Sequence, residues 1–157
     1  MEDGIKVRGS FRLQLEEDGQ IVGDSGWHEN QITNIGFLNA IIGSISGLAG
    51  STPITHIAIG TGTAPGAAVT ILNGELTHVT SRQTLTAITS SDSKGIGYRA
   101  TFASGVSYIT AAANISNIGL YGSVGTAASN LIAGNTYTSS TWATNQNLNV
   151  TYQLNFS

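Results

Sequence analysis

Apolar and polar residues alternate most regularly near the two ends of the chain. Nearly every second side chain is apolar in residues 4–15 and again in residues 147–156. A two-residue period is typical of strands that bury one face, so we expect both strands to bury an apolar face in the same core. The apolar positions are Ile5, Val7, Phe11, Leu13 and Leu15 in the first strand, and Leu148, Val150, Tyr152, Leu154 and Phe156 in the last.

The first strand leads into a predicted hairpin. Residues 16–19 form the turn, because Gly19 adopts a positive φ at little steric cost. Residues 21–27 then return as the second arm. Gly9 interrupts the alternation of the first arm and is a candidate β-bulge.

One stretch has helical spacing instead. Thr33 or Asn34 is a candidate N-cap, and Gly47 and Gly50 are expected to end the helix, with Gly43 weakening it. We predict one short helix over residues 34–45, which covers a face or plugs an end of the β-structure. The apolar positions with this spacing are Ile35, Leu38, Ile41 or Ile42, and Ile45.

The rest of the chain predicts β-structure. About seven strands separated by glycine-rich turns favour a mainly β fold, an antiparallel β-sandwich of the jelly-roll type or a barrel. We expect a single domain over 1–157 with a short N-terminal arm, 1–4. Two long loops, 60–68 and 122–147, are expected to become ordered only against a neighbour. The remaining predicted strands are 54–60, 79–90, 95–103, 115–121 and 131–133.

Charge is scarce and unevenly placed. Charged residues make up 10% of the chain, against about 25% in an ordinary soluble domain. A chain this neutral is predicted to cover much of its surface with other protein. Ten of the 15 charged residues lie in residues 1–30. The net charge of −3 gives no attraction to nucleic acid or to an anionic membrane. Cysteine is absent, and the acidic start, 1–4, lacks the apolar region of a secretory signal.

Candidate chemistry is weak throughout. The glycine-rich loop Gly60–Gly66 has no nearby lysine and contains Pro65, unlike a phosphate-binding loop. The three histidines, His28, His56 and His78, have no carboxylate at ligand spacing to complete a zinc site. Glu75 and Asp92 lie in turn-like sequence rather than as an opposed catalytic pair. We predict no enzyme activity, no catalytic residue, no metal site and no cofactor.

A set of short motifs resembles a group of small tailed-bacteriophage proteins. These share an N-x-I-T-N-x-G motif, here residues 30–36, an I-x-x-I-A-I-G-T-G motif, here 54–62, and an L-x-x-E-L motif, here 72–76. Ile118–Tyr121 resembles their late glycine-leucine-aromatic strand. The resemblance implies a β-sandwich subunit of the virion without catalysis, and we expect a capsid decoration or cement protein. A tail, baseplate or fibre-associated protein is the alternative.

The virion interpretation implies particular partners. We expect contact with the major capsid protein or tail proteins of the same virion, within a homo-oligomer for which a trimer is favoured. The protein would be made in the host cytoplasm and reside in the virion, without nucleic-acid or membrane partners. A third possibility is a carbohydrate-binding module that uses aromatic residues of the 122–147 loop. The candidate interface residues are Met1, Glu2, Asp3, Thr61, Thr63, Pro65, Tyr137 and Trp142.

Overall fold

The computed structural model describes residues 6–47, 51–76, 82–89, 94–105, 108–122, 125 and 130–157. Their secondary structure is mainly antiparallel β, with one short helical segment, as the sequence predicts. The strands are β1 (Val7–Glu17), β2 (Gln20–Asp24), β3 (His28–Ile32), β4 (His56–Gly60), β5 (Glu75–Leu76), β6 (Gln83–Thr84), β7 (Thr86–Thr89), β8 (Gly95–Phe102), β9 (Ala113–Tyr121), β10 (Leu131–Trp142) and β11 (Asn147–Phe156).

The strands form one antiparallel sheet that curls into a half-barrel. Their order is β5-β4-β9-β10-β3-β1-β11-β8-β7, with β2 beside β1 and β6 beside β4. Residues 83–89 therefore pair with β4 through β6 and with β8 through β7. This curled arrangement is compatible with the expected sandwich and encloses the main core.

The two terminal strands are direct neighbours. β1 and β11 pair antiparallel over ten residue pairs, from Val7 opposite Phe156 to Glu16 opposite Asn147. Phe11 lies opposite Tyr152, and their stacked rings are 6.1 Å apart. Both residues belong to the main core, which confirms that the two alternating strands bury their apolar faces together.

The predicted hairpin is present, and its bulge lies elsewhere. Asp18 and Gly19 form the turn with φ values of 50° and 77°. The register shifts between Leu15 and Glu16, whereas Gly9 pairs without a bulge. Gly9 is needed for close approach instead, since a Cβ there would lie 2.7 Å from the side-chain nitrogen of Asn30.

The helical segment forms where the sequence predicts it, within one residue at its end. It consists of a π-helix, Gly36–Ile42, that continues into one α-helical turn, α1 (Gly43–Ser46). Thr33 caps its start, because the Thr33 Oγ1 accepts a hydrogen bond of 3.0 Å from the Gly36 amide. Gly47 ends it in the left-handed conformation, with φ of 63°.

Two predictions about the connections are wrong. The expected long loop 122–147 contains β10, a strand of 12 residues that pairs with β9 along most of its length. The expected strand 79–90 is represented by the short strands β6 and β7, while residues 77–81 and 90 lie outside the described residues. The predicted arm, 1–4, also lies outside them.

Candidate assembly surface

The helical segment exposes an apolar face. Four of its large side chains are exposed by 41 to 74%, although apolar residues at helical spacing usually face a core. We call this set the helix face. It consists of Phe37, Leu38, Ile42 and Ile45.

The segment packs against the rest of the subunit through two glycines, Gly36 against β10 and Gly43 against Ser51. Gly36 and Gly43 are its buried positions. A Cβ on Gly36 would lie 1.9 Å from the backbone oxygen of Ile132 in β10, so only glycine fits there. Because these buried positions carry no side chain, the large apolar side chains of the helix face remain on the exposed surface of the segment.

An apolar groove runs beside the helix face. It has a volume of about 400 Å³ and lies between the helical segment and strands β7, β8 and β11. Ile41 and Ile45 form its helical wall, and Ile96, Tyr98 and Leu154 are among the residues of its sheet wall. The groove and the helix face therefore share Ile45.

No charged residue occurs between positions 30 and 74 of the sequence. This uncharged stretch contains the helical segment, β4 and the loop after β4. Two further apolar side chains, Val69 and Ile71, are exposed on that loop. The helix face and this loop thus lie in a stretch of sequence without formal charge.

The loop after β4 is tied to the neighbouring strand. The Asn117 side-chain nitrogen donates to the backbone oxygens of Thr63 at 3.1 Å and Asn73 at 2.9 Å. The Ser116 hydroxyl donates to the oxygen of Gly62 at 2.8 Å. These bonds from β9 hold the loop within the subunit, contrary to the expectation that 60–68 becomes ordered only against a neighbour.

The candidate interface residues of this loop separate into two kinds. Thr61 and Thr63 are exposed, so their side chains are accessible to a partner. Pro65 is buried, and its ring lies 3.0 Å from where a Cβ of Gly134 would stand. Pro65 therefore packs on β10 and does not belong to the surface.

The two aromatic candidates also belong to the core, which corrects their assignment to an interface loop. Trp142 is 1% exposed, and its indole nitrogen donates to the Gln146 oxygen at 2.8 Å. Tyr137 is buried with its ring edge-on to Phe11, 6.1 Å away. A register shift between Thr136 and Ser140 lets both aromatic side chains point inward although they are five residues apart.

The N-terminal candidates, Met1, Glu2 and Asp3, lie outside the described residues. The charges of the following hairpin are largely engaged within the subunit. Arg12 Nε donates to Asp24 Oδ1 at 2.8 Å, and this hydrogen bond holds the pKa of Asp24 well below its usual range. Glu16 accepts a bond of 2.8 Å from Asn149.

A buried ion pair closes the other end of the loop after β4. Arg82 Nε donates to Glu75 Oε1 at 2.8 Å and Arg82 Nη2 donates to Oε2 at 3.2 Å, with side-chain exposures of 0% and 8%. The guanidinium carbon lies 3.4 Å from the ring centroid of Tyr121. Sequence reasoning placed Glu75 in a turn and did not foresee this pairing, since nothing in the spacing links it to Arg82.

Tyr121 connects the ion pair to the loop. Its hydroxyl donates to Glu75 Oε2 at 3.1 Å and accepts from the Leu72 amide at 2.7 Å. Burial, with the nearby Glu75 charge, raises the pKa of Tyr121 above its ordinary value. Because the carboxylate, guanidinium and phenol bind one another, the cluster fastens Leu72, Glu75 and Arg82 against the sheet.

His28 and His56 make separate hydrogen bonds. His28 Nε2 donates to the Ser25 oxygen at 2.8 Å, and His56 Nδ1 lies 2.8 Å from the Thr55 hydroxyl. Burial and the Arg82 charge lower the pKa of His56. His78 lies outside the described residues. Among those described, no three His, Asp or Glu side chains are placed together to hold a metal ion.

Comparison of the chain with family models, curated proteins and solved structures finds no match. Within the described part of the chain, no helix combines the length and apolar character needed to cross a bilayer.

The helix face was missed as a surface because its spacing is also that of a core-facing helix. A signal that could have found it is glycine at positions 36 and 43, where a core-facing helix would carry large apolar side chains.

Proposed function

We propose that this chain is a structural subunit of a bacteriophage virion, a capsid decoration or cement protein that acts through protein–protein contacts. The observation that carries the proposal is the exposed, uncharged apolar surface formed by the helix face. Exposed apolar patches on otherwise folded subunits mark interaction sites. A freely diffusing protein of this composition would have little charge to keep copies apart.

The residues that carry the phage resemblance have structural roles that support the proposal. Thr33 caps the helical segment, and Gly36 lets it approach β10. Gly62 has the same kind of role, since a Cβ there would lie 2.3 Å from the Asn73 oxygen. Glu75 holds the end of the loop through Arg82. The motif residues thus define a framework for the surface elements.

The carbohydrate-binding alternative loses its binding platform. It relied on Tyr137 and Trp142 on an exposed loop, and both rings are buried in the core. A tail or baseplate protein could use the same neutral surface. The number of copies per particle therefore distinguishes a tail location from a capsid location.

The proposal is tested by quantitative mass spectrometry of purified particles of the phage that encodes the chain. A capsid decoration protein is expected at a copy number comparable to that of the major capsid protein. A low multiple of three or six would place it in the tail. Absence from washed particles, with the chain present in the infected-cell lysate, would contradict a virion role.

A further inference from the structure

We propose that the helix face is covered by a second copy of this chain. The inference deepens the proposed function, and rests on it, by naming the partner of the same surface. The helix face of one subunit packs on the helix face and adjoining groove of the next, and the neutral apolar contact between them forms the core of a homo-oligomer.

The exposed area matches such a contact. Phe37, Leu38, Ile42 and Ile45 are exposed by 41%, 57%, 47% and 74%. Taking roughly 150–200 Å² for the full surface of a large apolar residue, the lower part of the range of aromatic side chains, these fractions leave on the order of 400 Å² in contact with water. Each partner in a standard interface contributes about 800 Å², of which about 65% is apolar in homodimers, or roughly 520 Å². The helix face supplies most of that apolar share.

The lack of charge favours a second copy over a charged partner. No charged residue lies between positions 30 and 74, so the helix face itself offers no formal charge to pair with an ionic group of a partner. A charged partner surface would lose its hydration here without compensation. Two copies of the helix face meet without that cost and without repulsion between like charges.

The shape of the surface is also suited to pairing with itself. Protruding side chains, such as Leu38, stand beside a groove of about 400 Å³ lined by Ile41, Ile45, Ile96 and Leu154. When two copies meet, the exposed side chains of one helix face can enter the groove of the other copy. The reciprocal contact then forms at the same interface. Closed homo-oligomers repeat such a contact at every subunit.

The test compares two substitutions that each place a lysine at an exposed apolar position. Ile45→Lys changes the helix face, and Val22→Lys changes strand β2, where Val22 is exposed by 54%. The oligomeric mass of each purified protein is measured by sedimentation over a range of concentrations. We expect an oligomer for the unchanged chain and for Val22→Lys, and at least a 100-fold weaker association for Ile45→Lys, because its charge would be buried unpaired.

A separate measurement checks that Ile45→Lys remains folded. Ile45 lies in the last helical turn, where a positive charge is favourable, so Ile45→Lys is expected to keep the circular dichroism spectrum of the original chain. Ile45→Leu, which keeps position 45 apolar, should associate as the unchanged chain does. A monomeric unchanged chain, an oligomer insensitive to Ile45→Lys, or equal loss with Val22→Lys would each overturn the proposal. These results do not depend on whether the chain is found in virions, so the two proposals fail separately.

Discussion

Gly36 lies directly on the backbone of Ile132, so that a Cβ at position 36 would come within 1.9 Å of the Ile132 oxygen. The same backbone oxygen accepts a hydrogen bond of 2.9 Å from the Thr33 amide. The start of the helical segment is therefore fixed on β10 by contact with backbone, which cannot rotate away as a side chain can.

Substitution of Gly36 by alanine should therefore destabilise the fold. We expect Gly36→Ala to lower the free energy of unfolding by about 2–3 kcal/mol, since overpacking against backbone forces the helix off the sheet. Urea unfolding measures the change. Gly66→Ala is the control, because a Cβ at Gly66 meets only a Val69 methyl at 3.9 Å. Equal effects of the two substitutions would contradict the packing described.

The two tryptophans should differ in their contribution to stability. Trp142 is 1% exposed and Trp27 is 48% exposed. We expect Trp142→Ala to cost about 3–5 kcal/mol through cavity formation, and Trp27→Ala to cost less than about 1 kcal/mol. Thermal unfolding of the two variants checks this, and a tolerated Trp142→Ala would mean that the Trp142 ring is not packed in the core.

The terminal strands could be predicted because each alternates over many residues. A single register of the β1–β11 pair places Phe11 opposite Tyr152 and Leu13 opposite Val150, so the apolar residues of both strands share one face. Strand β10 was missed because its polar stretch 135–141 is rich in threonine and serine, which suggested a loop. The register shift between Thr136 and Ser140 also removes the two-residue period that would have revealed it.

The position of the helical segment could be predicted, but its orientation could not. A π-helix advances with more residues per turn than an α-helix, so residues that share a face at α-helical spacing drift apart around the axis. Ile35 is half-buried, while Leu38 and Ile45 are exposed. The ion pair between Glu75 and Arg82 could not be predicted from the sequence either. It forms only because β5 and β6 both return to pair with β4.

The buried and the exposed ion pair should respond differently to loss of their arginine. Arg82→Ala leaves the Glu75 carboxylate buried without its main partner, and we expect a cost of about 3–5 kcal/mol. Arg12→Ala removes an exposed contact with Asp24, with side-chain exposures of 36% and 31%, and should have a much smaller effect on stability. Chemical denaturation of both variants measures the difference, and similar small values would show that Glu75 reaches water.

Three buried tyrosines allow a matched comparison of hydroxyl groups. The Tyr121 hydroxyl bonds to Glu75 and to the Leu72 amide, whereas the buried Tyr137 and Tyr152 hydroxyls have no hydrogen-bond partner among the described residues. We expect Tyr121→Phe to cost about 1–3 kcal/mol and Tyr152→Phe to be neutral or stabilising. The reverse order in urea unfolding would contradict the hydrogen bonds described.

The tyrosines should also set the alkaline limit of stability. All five have a pKa raised above the ordinary value of 10.0, chiefly by burial. A pKa raised in the folded state leaves stability unaffected below pH 10, where the phenols are protonated in both states. Above it the unfolded chain loses protons first, so stability falls as pH rises. Ultraviolet absorbance of the phenolate should therefore appear at higher pH in the native protein than in guanidinium chloride. Superimposable titrations would mean that the rings are open to solvent.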